Sequence, residues 1–273
     1  MHRVPLVVRL MHYSGLRQES LYRPNSNFSR RTGINQMQIE EYARKHRHFW
    51  MSANFPPELR FILDANSFDS IIDIGCGDGA LLHSLETLGY LKNKLVWAVD
   101  LSETRLNSVK AIGSNIVAVQ DNAQFLGKVP DSYFDIIISS QVIEHVFNDQ
   151  DMIRALSRIA KPNALVYLDT VFKKSYGWYF YRNRHGRFVL DPTHEREYTS
   201  EDFLYECMRK SDFRIVHSSK EHIRFSPSNY FLRKLGVISD TNSKVFSMLE
   251  KFKIPIPRYF CWKILMVKQA TPA

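Results

Sequence analysis

The stretch Ile71-Ile72-Asp73-Ile74-Gly75-Cys76-Gly77-Asp78-Gly79 decides how the chain is read. An apolar run closes on three glycines at alternate positions, with acidic residues among them. This reads as a buried strand turning sharply into a helix, with bare backbone open to a ligand. A phosphate-binding loop favours neutral or basic surroundings, because the helix N-terminus is there to hold an anion. Asp73 and Asp78 would repel a pyrophosphate, and they suit a ligand carrying an ammonium and a sulfonium, as S-adenosylmethionine does. Gly75, Gly77 and Ala80 also satisfy the dinucleotide spacing G-x-G-x-x-G/A, so on spacing alone a nicotinamide cofactor stays open. Asp100 closes the next apolar run, Leu95-Val96-Trp97-Ala98-Val99, where an acidic residue would accept hydrogen bonds from ribose hydroxyls in either cofactor.

Outward from this loop, strands and helices alternate. Strands are expected at residues 70–74, 95–99, 115–120, 134–139 and 165–169. Helices are expected at 80–88, at 102–112 with Ser102 as N-cap and Gly113 as stop, and at 149–160, where Pro162 ends the run. The alternation predicts an α/β fold with a parallel sheet. Ligands of such sheets bind beyond the carboxyl ends of the strands, where Gly75, Asp100, Asn122, Ser140 and Thr170 fall. Residues 1–67 read as an N-terminal arm and helical cap, with helices near 35–48 and 58–63. Residues 68–273 read as the main domain. Within it, 171–199 form a polar and aromatic lid or substrate insertion. A capped helix reaches about 210, a strand follows at 213–217, a basic helical insertion spans 221–258, and a closing strand covers 259–267.

The chain has 273 residues, 44% of them hydrophobic, enough for a substantial core. Its three cysteines, Cys76, Cys207 and Cys261, are odd in number and far apart, which argues for a reducing compartment. No Cys/His cluster has zinc-site spacing, so no metal site is expected. No apolar run approaches the ~20 residues of a membrane span, and the apolar start is too short and interrupted for a signal peptide. A cytoplasmic protein with possible peripheral membrane contact is the expectation. The net charge of +9 divides into +5 over residues 1–68, −5 over 69–170 and +9 over 171–273. Anionic partners, a membrane surface or nucleic acid, would meet the basic flanks and not the acidic middle.

Five segments, in order across about residues 68–220, resemble class I S-adenosylmethionine-dependent methyltransferases, the broad group that includes ubiquinone and menaquinone biosynthesis enzymes. They are Asp73 to Gly79; Val99-Asp100-Leu101-Ser102; Asn122-Ala123 with Leu126; Phe134-Asp135 through Val142-Ile143-Glu144-His145-Val146; and Arg158-Ile159-Ala160-Lys161-Pro162. Asn163-Ala164 stands where the family has two glycines, so a changed turn is expected there. Asn122 replaces the family's usual Asp, with Asp121 beside it.

The resemblance implies a Rossmann-like, mostly parallel seven-stranded sheet with a reversed last strand, plus the N-terminal helical cap. It implies S-adenosylmethionine as cofactor. Gly75, Cys76, Gly77 and Gly79 would form the close-approach loop, Asp73 would attract the amino group, and Asp100 would hold the ribose. Asp121 or Asn122 would read the adenine edge, Leu101 and Ala123 would flank the base, and Ser140 lies at the neighbouring strand end. The implied activity is methyl transfer to a small or lipid-linked acceptor, most readily at oxygen. His145 and His194 are the candidate proton acceptors. Tyr198, Arg196 and Trp178 are candidate acceptor-binding residues. The aromatic and cationic run at 176–188 equally suits base stacking or a membrane surface. A nucleic-acid methyltransferase and a non-catalytic cofactor-binding partner protein are the alternatives.

Overall fold

The computed structural model describes residues 36–45, 55–113, 115–175, 181–227 and 253–270. Two N-terminal helices, α1 (Gln36–Lys45) and α2 (Pro57–Ala65), precede the sheet, and Pro57 starts α2, where its missing N–H costs nothing. The chain then alternates β1 (Ser70–Ile74), α3 (Ala80–Thr87), β2 (Leu95–Asp100), α4 (Glu103–Lys110), β3 (Ile116–Gln120), β4 (Phe134–Ser140), α5 (Asp149–Ile159) and β5 (Ala160–Lys173). A hairpin of β6 (Tyr181–Arg182) and β7 (Phe188–Val189), helix α6 (Asp202–Lys210), β8 (Phe213–Phe225) and β9 (Ile254–Lys268) complete the described elements.

Seven strands form one sheet in the order β3-β2-β1-β4-β5-β9-β8. Every pair from β3 to β5 is parallel, and β9 runs antiparallel to both its neighbours. This is the expected mostly parallel sheet with a reversed last strand. β1 is buried throughout, because helices cover both faces. One face packs Ile71, Val96, Ile136 and Tyr167 against α2, α3 and α4. The other packs Ile72, Ile137, Val166 and Trp262 against α5 and α6.

Expectations about Pro162, the closing strands and the lid boundary are corrected. Pro162 does not separate helix from strand, since β5 begins at Ala160 directly after α5. Asn163 takes a positive φ of 65° in that segment, where β4 and β5 slip register between Phe134 and Ile136. β8 and β9 are far longer than read, because each pairs along the other, so 221–225 and 254–258 are strand and not helical insertion. Residues 171–173 likewise belong to β5 and not to the lid. The arm at 1–35, the helices read at 228–235 and 242–252, and Trp178 lie outside the described residues.

Candidate active site at the strand ends

The glycine loop is fixed by its neighbours. Gly75 and Cys76 both donate backbone N–H groups to the Val99 carbonyl, at 2.7 and 3.0 Å. Gly75 has φ +71°, and a Cβ there would lie 2.3 Å from Val142 Cγ2. Gly75→Ala therefore meets both a left-handed backbone and a β-branched neighbour. It is expected to cost about 2 kcal/mol or more in stability, read as a lower denaturant midpoint at unchanged m-value. Gly77 differs, because among the described residues a Cβ on it would meet only Arg105 Nη1, at 4.0 Å. That open face is where a ligand can approach the backbone.

Below the loop lies an acidic floor. Asp73 stands one residue before the end of β1, Asp100 ends β2, and Asp169 lies within β5 beside Ser140 at the end of β4; their side chains share one face, and all three are buried. Asp100 accepts from Gly77 N at 3.0 Å and Ser102 N at 2.8 Å, so it holds the loop to the start of α4. Asp169 accepts from Ser140 Oγ at 2.8 Å and from Gln141 N and Nε2 at 3.1 and 2.7 Å. Gln141 takes φ +55° in making these bonds. Among the described residues none donates to Asp73. Burial, then the charges of Asp100 and Asp169, push its carboxyl up to about 7. A buried carboxylate without a partner calls for a cation. The donor set therefore fits a ligand with ammonium and sulfonium groups and disfavours a pyrophosphate.

The other predicted cofactor residues surround this floor. Asp121 closes its own turn by accepting from Asn122 N and Lys128 N, each at 2.7 Å. Asn122 Oδ1 accepts from Gln124 N at 2.9 Å. Both are half-buried at the end of β3, as is Leu101 at the end of β2, while Ala123 packs into the core. Cys76 is buried, its thiol pushed well up by burial, so it contributes backbone rather than a reactive sulfur.

On the opposite side, the insertion folds back onto the loop after β4. The Glu144 carbonyl accepts from Glu195 N at 2.8 Å and Arg196 N at 3.3 Å. Asn183 is buried and orders the hairpin: its amide donates to the carbonyls of His194 and Glu195, and its oxygen accepts from His185 N and Arg187 N. This brings His194 beside His145, ring centroids 4.8 Å apart. His194 is buried, and its Nδ1 lies 2.8 Å from Glu197 Oε1. Burial opposes its charge, but the Glu197 hydrogen bond and the carboxylates of Glu144 and Asp191 outweigh that and raise its pKa. His145 is half-buried, with Nδ1 3.3 Å from the Thr193 carbonyl, and burial followed by His194 lowers its pKa. Glu144 is fully buried. Its Oε2 accepts from Thr170 Oγ1 at 2.9 Å, while its Oε1 has no hydrogen-bond partner among the described residues. Glu144, His145 and His194 place one donor atom each within 4.8 Å of one another. A divalent cation suits such a group as well as a shared proton does, and sequence spacing, which pointed to no metal site, could not show it.

Tyr198 and Arg196, read as candidate acceptor-binding residues, make internal contacts in the fold. The Tyr198 hydroxyl donates to Asp149 Oδ2 at 3.0 Å within the core. The Arg196 guanidinium grips the carbonyls of Ile143, Val146 and Phe147. Both side chains latch the insertion in place and are spent on the fold. Sequence reasoning missed Asp169, Gln141 and Glu144. Asp169 carried a usable signal, since it directly follows the apolar run Leu165-Val166-Tyr167-Leu168 as Asp100 follows Leu95 to Val99.

The chain matches the methyltransferase domain family over residues 39–218, and it belongs to that family. Its class is that of the S-adenosylmethionine-dependent methyltransferases, whose cofactor is S-adenosylmethionine. Among curated relatives, a ubiquinone biosynthesis O-methyltransferase of Serratia proteamaculans is 26% identical over 127 residues, 45% of this chain and 52% of that protein. Its counterpart in Yersinia enterocolitica is 23% identical over 164 residues, 56% of this chain and 67% of that protein. The chain thus spans about half to two thirds of the length of these relatives. A solved S-adenosylmethionine-dependent methyltransferase from Methanosarcina mazei shares the fold, with TM-score 0.54 at 15% identity, covering 80% of this chain and 100% of that one. No helix of the described residues is long and apolar enough to cross a membrane.

Proposed function

We propose that the protein transfers the methyl group of S-adenosylmethionine to a hydroxyl oxygen of a small or lipid-linked aromatic acceptor. The observation that carries this reading is the pairing of two sites: the acidic floor at the glycine loop, and the two imidazoles held together by the insertion. The cofactor supplies an electrophilic methyl on a cationic sulfur. The chain's own residues hold it and receive a proton. Asp73 faces the ammonium, Asp100 the ribose, and Asp121 or Asn122 the adenine edge. His145 is the more exposed of the two rings. With its Nδ1 directed at the Thr193 carbonyl, its Nε2 carries the lone pair that takes the acceptor's hydroxyl proton. His194 stands behind it, oriented by Glu197 as a carboxylate orients a catalytic imidazole. The similarity to ubiquinone biosynthesis O-methyltransferases supports oxygen as the receiving atom.

The test is incubation with methyl-labelled S-adenosylmethionine and a panel of catechols, free and polyprenylated, followed by mass spectrometry. Label on a ring hydroxyl is expected, and His145→Ala should lower kcat by about a hundredfold or more at unchanged cofactor affinity. The same assay with RNA tests the reading favoured by the basic flanks. Label in RNA, with transfer falling steeply as salt rises, would replace the small acceptor. Cofactor binding with no labelled product from any acceptor would point to a binding protein.

A further inference from the structure

The first turn of α4 is capped from a distant part of the chain. A helix leaves its first N–H groups without intrahelical partners. Ser102, the N-cap, takes only one of them, accepting from Arg105 N at 3.3 Å. Glu40, on α1, takes the next two: its carboxylate accepts from Glu103 N at 2.7 Å and Thr104 N at 3.2 Å. It also accepts from the Ser102 hydroxyl at 2.9 Å. Burial would raise the Glu40 pKa, but the bonds from Thr104, Glu103 and Ser102 outweigh it and keep the group low, so the anion sits on the positive end of α4. Ala43, three residues on and so on the same face of α1, is buried, and α1 packs on α4.

These contacts continue into the cofactor loop. Ser102 N donates to Asp100 Oδ1, and Gly77 N donates to Asp100 Oδ2. An unbroken line of hydrogen bonds therefore runs from α1 through Ser102 and Asp100 to the glycine loop. We propose that Glu40 is a positioning residue for the cofactor: by clamping Ser102 it fixes the Asp100 carboxylate, so that docking of α1 and binding of the adenosine portion reinforce each other. This rests on the reading of Asp100 as the ribose anchor. By linkage, the ligand must strengthen the helix contact by the factor that the contact strengthens ligand binding.

The experiment uses S-adenosylhomocysteine and the full chain, with calorimetry and amide hydrogen exchange. Glu40→Ala should weaken binding about tenfold, and Glu40→Gln, which keeps one acceptor oxygen, about threefold. Ser102→Ala breaks the line while sparing Glu40 and should also weaken binding. In the wild type, ligand should slow exchange of residues 36–45 and of the Glu103 and Thr104 amides, and in Glu40→Ala the protection of 36–45 should vanish. A circular dichroism melt checks that each variant is folded, and if Glu40→Ala is not, Ser102→Ala carries the test. A folded variant that binds within twofold of wild type, or ligand that leaves exchange of 36–45 unchanged, overturns the proposal. Failure of the wild type to bind S-adenosylhomocysteine overturns the cofactor reading itself, and the positioning role with it.

Discussion

Asp100→Ala is expected to weaken S-adenosylhomocysteine binding by about a hundredfold, with the fold retained. The Asp100 carboxylate is buried and accepts from two backbone N–H groups, those of Gly77 and Ser102, which belong to different segments of the site. Truncation leaves both donors without that acceptor, at about 1–3 kcal/mol each, and removes the acceptor proposed for the ribose. About 2.7 kcal/mol of lost binding is a hundredfold in Kd. Asp100→Asn should fall between, because one amide oxygen still accepts while the amide nitrogen faces a donor. Calorimetric titration at constant pH and salt reads the effect, and a Kd within threefold of wild type would remove Asp100 from the ligand site.

Cofactor affinity is also expected to rise with pH, through Asp73. Its carboxyl is pushed up to about 7 by burial and by the charges of Asp100 and Asp169. In the folded protein without ligand it therefore binds a proton more tightly than in the unfolded chain. Stability consequently falls as pH rises from the ordinary carboxyl value of 3.8 through about 7, and then levels off. A cationic ligand favours the ionised form, so binding expels the proton. If the bound pKa drops below about 5, affinity should be roughly tenfold weaker at pH 6 than at pH 8. Protons should be released on binding at pH 6, so the observed heat will depend on the buffer. Asp73→Asn should bind more weakly at pH 8 and lose the pH dependence. A wild-type affinity that is flat from pH 6 to 8 would mean that Asp73 does not face the cation.

The parts of this site written in local pattern were readable in the chain. The glycine loop, the Asp100 strand end and the Ser102 cap each lie within a few residues of the structure they specify. The ends of β1 to β4 differ from the reading by at most one residue, since buried parallel strands are continuous apolar runs, whereas β5 extends four or five residues beyond the reading at each end. β8 and β9 were underread because their outer halves are held by pairing with each other and carry polar residues such as Lys220, His222 and Arg258 that no apolar pattern marks. The internal hydrogen bonds of Tyr198 and Arg196 were out of reach for a related reason. An exposed-looking polar motif can be spent on internal hydrogen bonds once its loop folds back.

By itself, then, the sequence determined the alternating α/β layout, the loop where only glycine tolerates the backbone, and the acidic character that selects a cationic ligand over a pyrophosphate. Those features follow from backbone sterics and local charge, which neighbouring residues fully specify. Only the tertiary structure decided which distant groups meet. Asp169 joins Asp73 on one sheet face, Glu40 caps a helix that begins at Glu103, and the insertion seats His194 against His145 and Glu144. Such contacts depend on strand order and on how the chain returns to the sheet, and no local period of a sequence encodes that path.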